Sequence, residues 1–288
     1  MRGRRRTQGL GLISLLWLSF AGPLAAQVTA RFDLSSSTRY VWHGVSRAGG
    51  IVAQSSAAAG LQSGRLTIAG GLVRHYELDG VSPGELSQLG DSGGHVGEDD
   101  IWAEAAFESG RLRFRTGVLR YVFRGESLEG GGAPLRNTTE VYAAASATSP
   151  YLNPALELWW DVGTIQGGFL RASASSPVIG WPFEPYFFAV LTGDMGINVS
   201  QGPDSATADD LANYANSGVT HVGLGLTMDR RLHHWPGWGA ASLGLGLNSQ
   251  LNLDEATRYN GTGPSRNLIF WLSLGVTFLL GGEARTLR

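Results

Sequence analysis

From about residue 27 onward the chain alternates apolar with polar or small residues at a period of two, which is the pattern of β-strands with two different faces. Two hairpins show it best. Gln62-Ser63-Gly64-Arg65-Leu66 and Glu108-Ser109-Gly110-Arg111-Leu112 share one motif around a Ser-Gly pair. With Ser109-Gly110 as the turn, Phe107 faces Leu112, Ala105 faces Phe114, Ala103 faces Thr116 and Ile101 faces Val118. The other face then pairs Glu108 with Arg111, Ala106 with Arg113, Glu104 with Arg115 and Trp102 with Gly117. A slip of one residue would destroy both faces at once. The first hairpin behaves alike, with Leu61–Leu66 and Ala59–Ile68 on one face and Gln62–Arg65 and Gly60–Thr67 on the other.

Extending the alternation predicts about 12 strands, near 28–38, 51–62, 65–77, 99–108, 111–123, 138–148, 154–164, 168–176, 185–193, 217–228, 238–249 and 267–280. The count leaves room for 10–14, because Pro177, Pro182 and Pro185 interrupt the eighth and ninth. Short turns at 63–64, 109–110 and 149–153 alternate with long polar loops at 39–50, 78–98, 124–137, 194–216 and 250–266. Short turns at one end, long loops at the other and an even strand count predict an all-β fold, an antiparallel up-and-down transmembrane β-barrel. Strands of this length suit a tilted crossing of a bilayer. Tyr40, Trp42, Trp159, Trp160, Trp235, Trp238 and Trp271 fall near strand ends, where interfacial girdles are expected. No segment is left over for a plug.

The N-terminus sharpens the location. Arg2, Arg4, Arg5 and Arg6 precede an apolar run from Leu10 to Ala21 and a small-residue exit, Gly22-Pro-Leu-Ala-Ala26. That is a secretory signal over residues 1–26, with residues 27–288 as one barrel domain. Export and a barrel together predict the outer membrane of a Gram-negative-type cell. The expected partners are outer-membrane lipids, lipopolysaccharide and the barrel-assembly machinery; the oligomeric state is open.

Composition agrees. The chain has 42 glycines, 28 aromatics and no cysteine, and only 16% of it is charged, against about 25% for an average domain. Every one of the 22 basic residues is arginine. Without cysteine, a disulfide framework, a zinc-thiolate site and a thiol nucleophile are excluded. Four of those arginines lie in the signal and no acid does, so the exported chain carries 18 basic against 24 acidic groups. That net negative charge argues against nucleic acid as a partner.

The segment Ser37-Thr-Arg-Tyr40-Val-Trp-His-Gly-Val-Ser46 resembles the start of the TorF family of porin-like proteins. The matching residues are Tyr40, Val41, Gly44, Val45 and Ser46, and His43 stands where the family has arginine. The resemblance covers about 35 residues. It implies an outer-membrane barrel with a transport role and brings no catalytic residues with it.

Alternation assigns a set of side chains to the lumen. The two hairpins supply Gln54, Arg65, Glu104, Glu108, Arg111, Arg113 and Arg115, and other strands add Arg31, Asp33, Glu157 and Asp161, with Glu140, Tyr142 and Arg171. A basic stripe facing an acidic one predicts a porin-like passive channel for small polar solutes, with no chemical step and no cofactor. The same charges could instead form a salt-bridge lattice filling a structural or surface-interaction barrel. A third reading, a lipid-modifying barrel enzyme, would need His43 and Ser46 to converge with a third polar group. Asp99-Asp100, Asp209-Asp210 and the adjacent His233-His234 are incomplete as catalytic or metal sites. Gly223, Gly225, Gly244 and Gly246 are expected as small residues facing a crowded lumen, since no helix follows them to hold a phosphate.

Overall fold

The computed structural model describes residues 27–48, 50–78, 95–124, 137–179, 187–201, 214, 216–235, 239–254 and 267–281. The signal segment and most of the long loops, Asp209-Asp210 among them, lie outside these residues. Fourteen strands are present among the described residues: β1 (Gln27–Ser37), β2 (Tyr40–Trp42), β3 (Val45–Ala48), β4 (Val52–Ser63), β5 (Leu66–Glu77), β6 (His95–Ser109) and β7 (Leu112–Phe123), then β8 (Thr138–Ala147), β9 (Asn153–Asp161), β10 (Gly167–Ile179), β11 (Phe187–Asn198), β12 (Gly218–Trp235), β13 (Gly239–Asn252) and β14 (Leu268–Leu280). Twelve of them form a closed antiparallel barrel, each strand paired with its sequence neighbours, and β1 meets β14 to complete the ring. β2 and β3 stand apart as a two-stranded hairpin. Closure leaves no sheet edge, which a strand in hydrocarbon could not leave open.

The period-two pattern becomes the two surfaces of the wall. Val28, Leu34, Ile68, Leu72, Ile101, Phe114, Leu156, Leu224, Leu247 and Phe270 project outward and are exposed, Phe270 by 67%. Such a band of bare apolar side chains is stable only against lipid. The alternate residues of the same strands turn inward; most are polar or small, with aromatic side chains such as Trp102, Trp159 and Trp271 among them.

Both hairpins that anchored the sequence reading are present, with a different register. Ser63 pairs with Leu66 and Ser109 with Leu112, so the turns are Gly64-Arg65 and Gly110-Arg111, not Ser-Gly. Gly64 and Gly110 have φ of 58° and 62°, the conformation a type II′ turn needs at its first central residue, where glycine is favoured. Glycine therefore pulls the turn one position along. Each partner shifts by two residues, parity is kept, and the strand side chains stay on their expected faces, while Arg65 and Arg111, expected on the lumen face, move into the turns. Glu108 now lies opposite Arg113, and Glu104 opposite Gly117.

Three further expectations change. The strands around 168–200 run longer, and the break predicted by Pro177 is a register shift between Pro177 and Ile179 at the turn end of β10. A proline there has no N–H for the ladder. β12 runs past the predicted end at 228, and His233 and His234 pair with Ala241 and Ala240 near its end. Finally, a segment does enter the lumen. It is the β2–β3 hairpin, formed from the loop at 39–50.

On β7, Gly117 is pressed between Ala103 O and the Tyr142 ring, and a Cβ there would overlap both. Gly117→Val should lower stability by about 1–3 kcal/mol through overpacking. The urea midpoint of the refolded barrel in detergent measures this, and an unchanged midpoint would contradict the packing.

Candidate functional site: the lumen and its hairpin

The β2–β3 hairpin turns at His43-Gly44, with φ of 46° and 84°. Two positive φ values define a type I′ turn, which asparagine-glycine fills most readily. A histidine at the first position is an unusual choice there. Its surroundings explain it. The His43 ring packs on Phe169 with centroids 4.3 Å apart and lies edge-on to Trp159 at 5.3 Å. His43 Nε2 lies 3.3 Å from Glu140 Oε2. Glu140 is fully buried, and Tyr121 donates its hydroxyl to the same oxygen at 2.6 Å. Trp42 Nε1 donates in turn to the Tyr121 hydroxyl at 2.8 Å.

The hairpin is gripped from the other sides as well. Tyr40 packs on His75 at 4.4 Å, and its hydroxyl lies 3.4 Å from Glu98 Oε1. Tyr214 donates to the His43 carbonyl at 2.7 Å, and Gln250 Nε2 donates to the Gly44 carbonyl at 2.6 Å. Gly44 lies so close to the His221 ring that a Cβ would fall on it. The tip is thus held by groups from β7, β8, β9, β10, β12 and β13. Tyr40, Trp42, Trp159 and Trp271 are lumen residues, not girdle residues. Trp160, exposed by 44%, does face outward.

One step toward the turn end, a chain of alternating charges runs around the wall. Arg113 lies 3.8 Å from Glu104, and Arg115 bridges Glu104 at 3.2 Å and Glu157 at 2.6 Å. Arg171 continues from Glu157 at 3.9 Å to Asp194 at 3.3 Å, and His221 Nε2 lies 3.4 Å from Asp194. Tyr142 adds its hydroxyl to Glu104 at 2.7 Å. The ladder thus spans β6 to β12. On the far wall Arg31 pairs with Asp33 at 2.9 Å, and Ser56 and Thr277 donate to the same carboxylate.

The residues singled out from sequence fall into three groups. Glu104, Arg113, Arg115 and Glu157 meet in the ladder, while Glu108 sits opposite Arg113 in register. Arg31 and Asp33 form the separate pair, and Gln54 bonds His75 Nδ1 at 2.8 Å near the hairpin. Arg65 and Arg111 occupy the two turns and stand away from the ladder. Asp161 is almost fully buried and receives the backbone N–H groups of Gly163, Ile165 and Gln166 and the Thr138 hydroxyl. It organises the tight β9–β10 connection.

Sequence reasoning missed the clasp residues Tyr121, Phe169, Tyr214, His221 and Gln250. The inward parity of Tyr121, Phe169 and His221 was legible, while Tyr214 and Gln250 fell in predicted loops; the meeting of all five with residues 40–45, far away in sequence, was not legible. Asp99-Asp100 is split by the strand, Asp100 facing in toward His75 at 3.0 Å and Asp99 facing out. The ligand atoms of His75, Glu98 and Asp100 lie within 4.8 Å of one another, close enough to hold a cation. His43 meets Glu140 as an oriented base would meet its carboxylate, but the Ser46 side chain lies outside the described residues.

At and beyond the β12 end of the ladder the inward residues are small. A Cβ on Gly223 would overlap Asp194 Oδ1, and one on Gly246 would overlap Ser273 Oγ. These inward glycines make room for their neighbours' polar groups. A cavity of about 330 Å³ lies beneath the hairpin, bounded by Arg171, Thr192, Asp194, Thr227, Asn248 and Trp271.

A closed twelve-stranded barrel with an apolar exterior and a largely polar lumen has the fold of outer-membrane barrels such as channels and porins. No family model matches the chain, and no curated protein sequence does. Solved structures do match. The COG4313 outer membrane channel from Pseudomonas putida F1 aligns over 91% of this chain and 97% of its own, at 15% identity and a TM-score of 0.51. LpxR from Salmonella typhimurium aligns over 86% and 99%, at 9% identity and a TM-score of 0.47. The NanC porin aligns over 86% and 98%, at 10% identity and a TM-score of 0.46. The likeness to the first is one of fold.

Tyr121→Phe removes the hydroxyl linking Trp42 to Glu140 and leaves a buried carboxylate short of a donor. We expect a loss of about 1–3 kcal/mol, read as a lower urea midpoint, together with a red shift of tryptophan emission as Trp42 loosens. No change in either would show that the clasp does not depend on this bond.

Proposed function

We propose that the protein is a porin-like outer-membrane channel, exported by its N-terminal signal, that passes small polar solutes by diffusion, with the β2–β3 hairpin as its constriction. The observation that carries this reading is the lining of the lumen: a continuous ladder of arginines and carboxylates from β6 to β12, beside a cavity of about 330 Å³ that Arg171, Asp194 and the polar side chains of Thr192, Thr227 and Asn248 border. A barrel filled for rigidity would occupy that space with side chains. Inward glycines at Gly223 and Gly246 add no bulk of their own and leave room for the polar ends of Asp194 and Ser273. Arg113, Arg115, Arg171, Glu104, Glu157 and Asp194 line it and offer alternating donors and acceptors to polar solutes. Arg31, Asp33, Gln54 and Glu108 complete the polar lining, with Arg65 and Arg111 at its rim. The TorF resemblance supports the same role, because the residues that carry it, Tyr40–Ser46, are the constricting hairpin.

The structural alternative, a closed surface-interaction barrel, draws its support from the same hairpin, which reaches across the lumen. Conductance separates the two. The refolded chain in a planar bilayer should give discrete current steps; absence of current above background would leave the closed barrel. Gly44→Val cannot pack against His221 and should raise the step size by loosening the hairpin. Arg115→Glu with Arg171→Glu should move the reversal potential toward cation preference, and an unmoved potential would place the ladder outside the conduction path.

A further inference from the structure

The outer face of β5 to β7 is apolar over most of its height, through Leu66, Ile68, Leu72, Ile101, Phe107, Leu112, Phe114 and Val118, all exposed. Toward the loop end its character changes within one or two residues per strand. Arg74 on β5, Asp99 on β6, and Arg120 and Arg124 on and just beyond β7 occupy the same outward parity as those apolar residues. Asp99 pairs in register with both Arg74 and Val122. Arg74 Nε donates to Asp99 Oδ1 at 2.7 Å, and Arg124 Nε donates to Oδ2 at 2.6 Å. Arg120 lies opposite Ile101, two residues along β6 from Asp99, which is roughly 7 Å at the strand rise. Its Nη1 reaches Thr139 Oγ1 at 3.1 Å.

An aspartate on the lipid-facing side of a barrel demands a reason. Here it is only 3% exposed, because two guanidinium groups cover it. Those groups stay open to the outside, with the Arg74 and Arg124 side chains 44% and 52% exposed. One carboxylate against three arginines leaves a net positive patch, held in shape by the acid at its centre. Long loops mark the outward end of such a barrel, so the patch lies at the headgroup level of the outer leaflet. Arginine is suited to phosphate because its planar fork donates two parallel hydrogen bonds.

We propose that Arg74, Arg120 and Arg124, arrayed around Asp99, form a binding site on the outside of the barrel for the phosphate-monoester headgroup of an outer-leaflet glycolipid. The site anchors the lip of β5–β7 in the outer leaflet. It is independent of whether the lumen conducts.

The test uses the refolded full-length exported chain in detergent and native mass spectrometry. The probes are bisphosphorylated lipid A, the same acylated disaccharide without phosphates, and inorganic phosphate. The wild type should retain the bisphosphorylated lipid at least about tenfold more tightly than the dephosphorylated one, the scale of one lost charge-assisted contact. The combined Arg74→Gln, Arg120→Gln, Arg124→Gln variant should remove that preference. Arg230→Gln, at the turn end of β12, should keep it. Equal retention of the two lipids, an equal loss in Arg230→Gln, or an unaltered triple variant would each overturn the proposal. Displacement of the lipid by equimolar inorganic phosphate would also overturn it, since the ligand would then be a free ion. Heat-modifiable migration in gels checks folding. Should the triple variant fail to fold, Arg120→Gln and Arg124→Gln singly should each reduce the preference by about threefold, and unchanged preference in both would reject the site.

Discussion

Closing a β-sheet into a ring makes every residue choose between two solvents. A side chain on one of the twelve barrel strands meets either lipid or the lumen, and its neighbour meets the other. This constraint carries most of the structure. It excludes charge from the middle of the outer face and concentrates arginine and carboxylate inside. It also makes parity, not exact pairing, the quantity that matters in a hairpin. The two type II′ turns show as much: each partner moves by two residues when glycine takes the turn's first central position, and neither surface notices.

The lumen is organised by one buried carboxylate. Glu140 has no exposure, so its carboxylate depends on the groups that face it. Tyr121 and His43 do so at one oxygen, and Trp42 joins through Tyr121. A loop that would otherwise project from the barrel is drawn inward and pinned at its tip. The aromatic rings around His43 exclude water from this contact, which strengthens it. Below it, the charge ladder from Arg113 to His221 repeats the logic on a larger scale. Each acid of the ladder has a cation within reach on a neighbouring strand, so this part of the wall tolerates many charges while remaining nearly neutral along its length.

The adjacent aspartates show how a strand divides a sequence motif. Asp99 and Asp100 look like one acidic site in the chain. The pleat sends Asp100 to His75 in the lumen and Asp99 to Arg74 and Arg124 on the outside. They serve unrelated surfaces although they are consecutive. Tryptophans mislead in a related way. Trp42, Trp159 and Trp271 sit near strand ends, as a girdle residue would, and parity or loop folding turns them inward.

Local pattern alone determined the barrel, its twelve strands, the direction in which each strand residue points and the inward placement of Glu104, Arg113, Arg115 and Glu157. These follow from a period of two and from turn chemistry, which act between near neighbours. Tertiary structure decided what crosses the lumen. The hairpin at 40–45 meets Glu140, Phe169, Tyr214 and Gln250, partners about 100 to 200 residues away that become neighbours only when the ring closes. The same is true of Asp161, whose inward parity was legible but whose task, holding the β9–β10 connection through three backbone N–H groups, depends on how a short loop bends back. Alternation fixes a side chain's face; only closure of the barrel fixes what lies across from it.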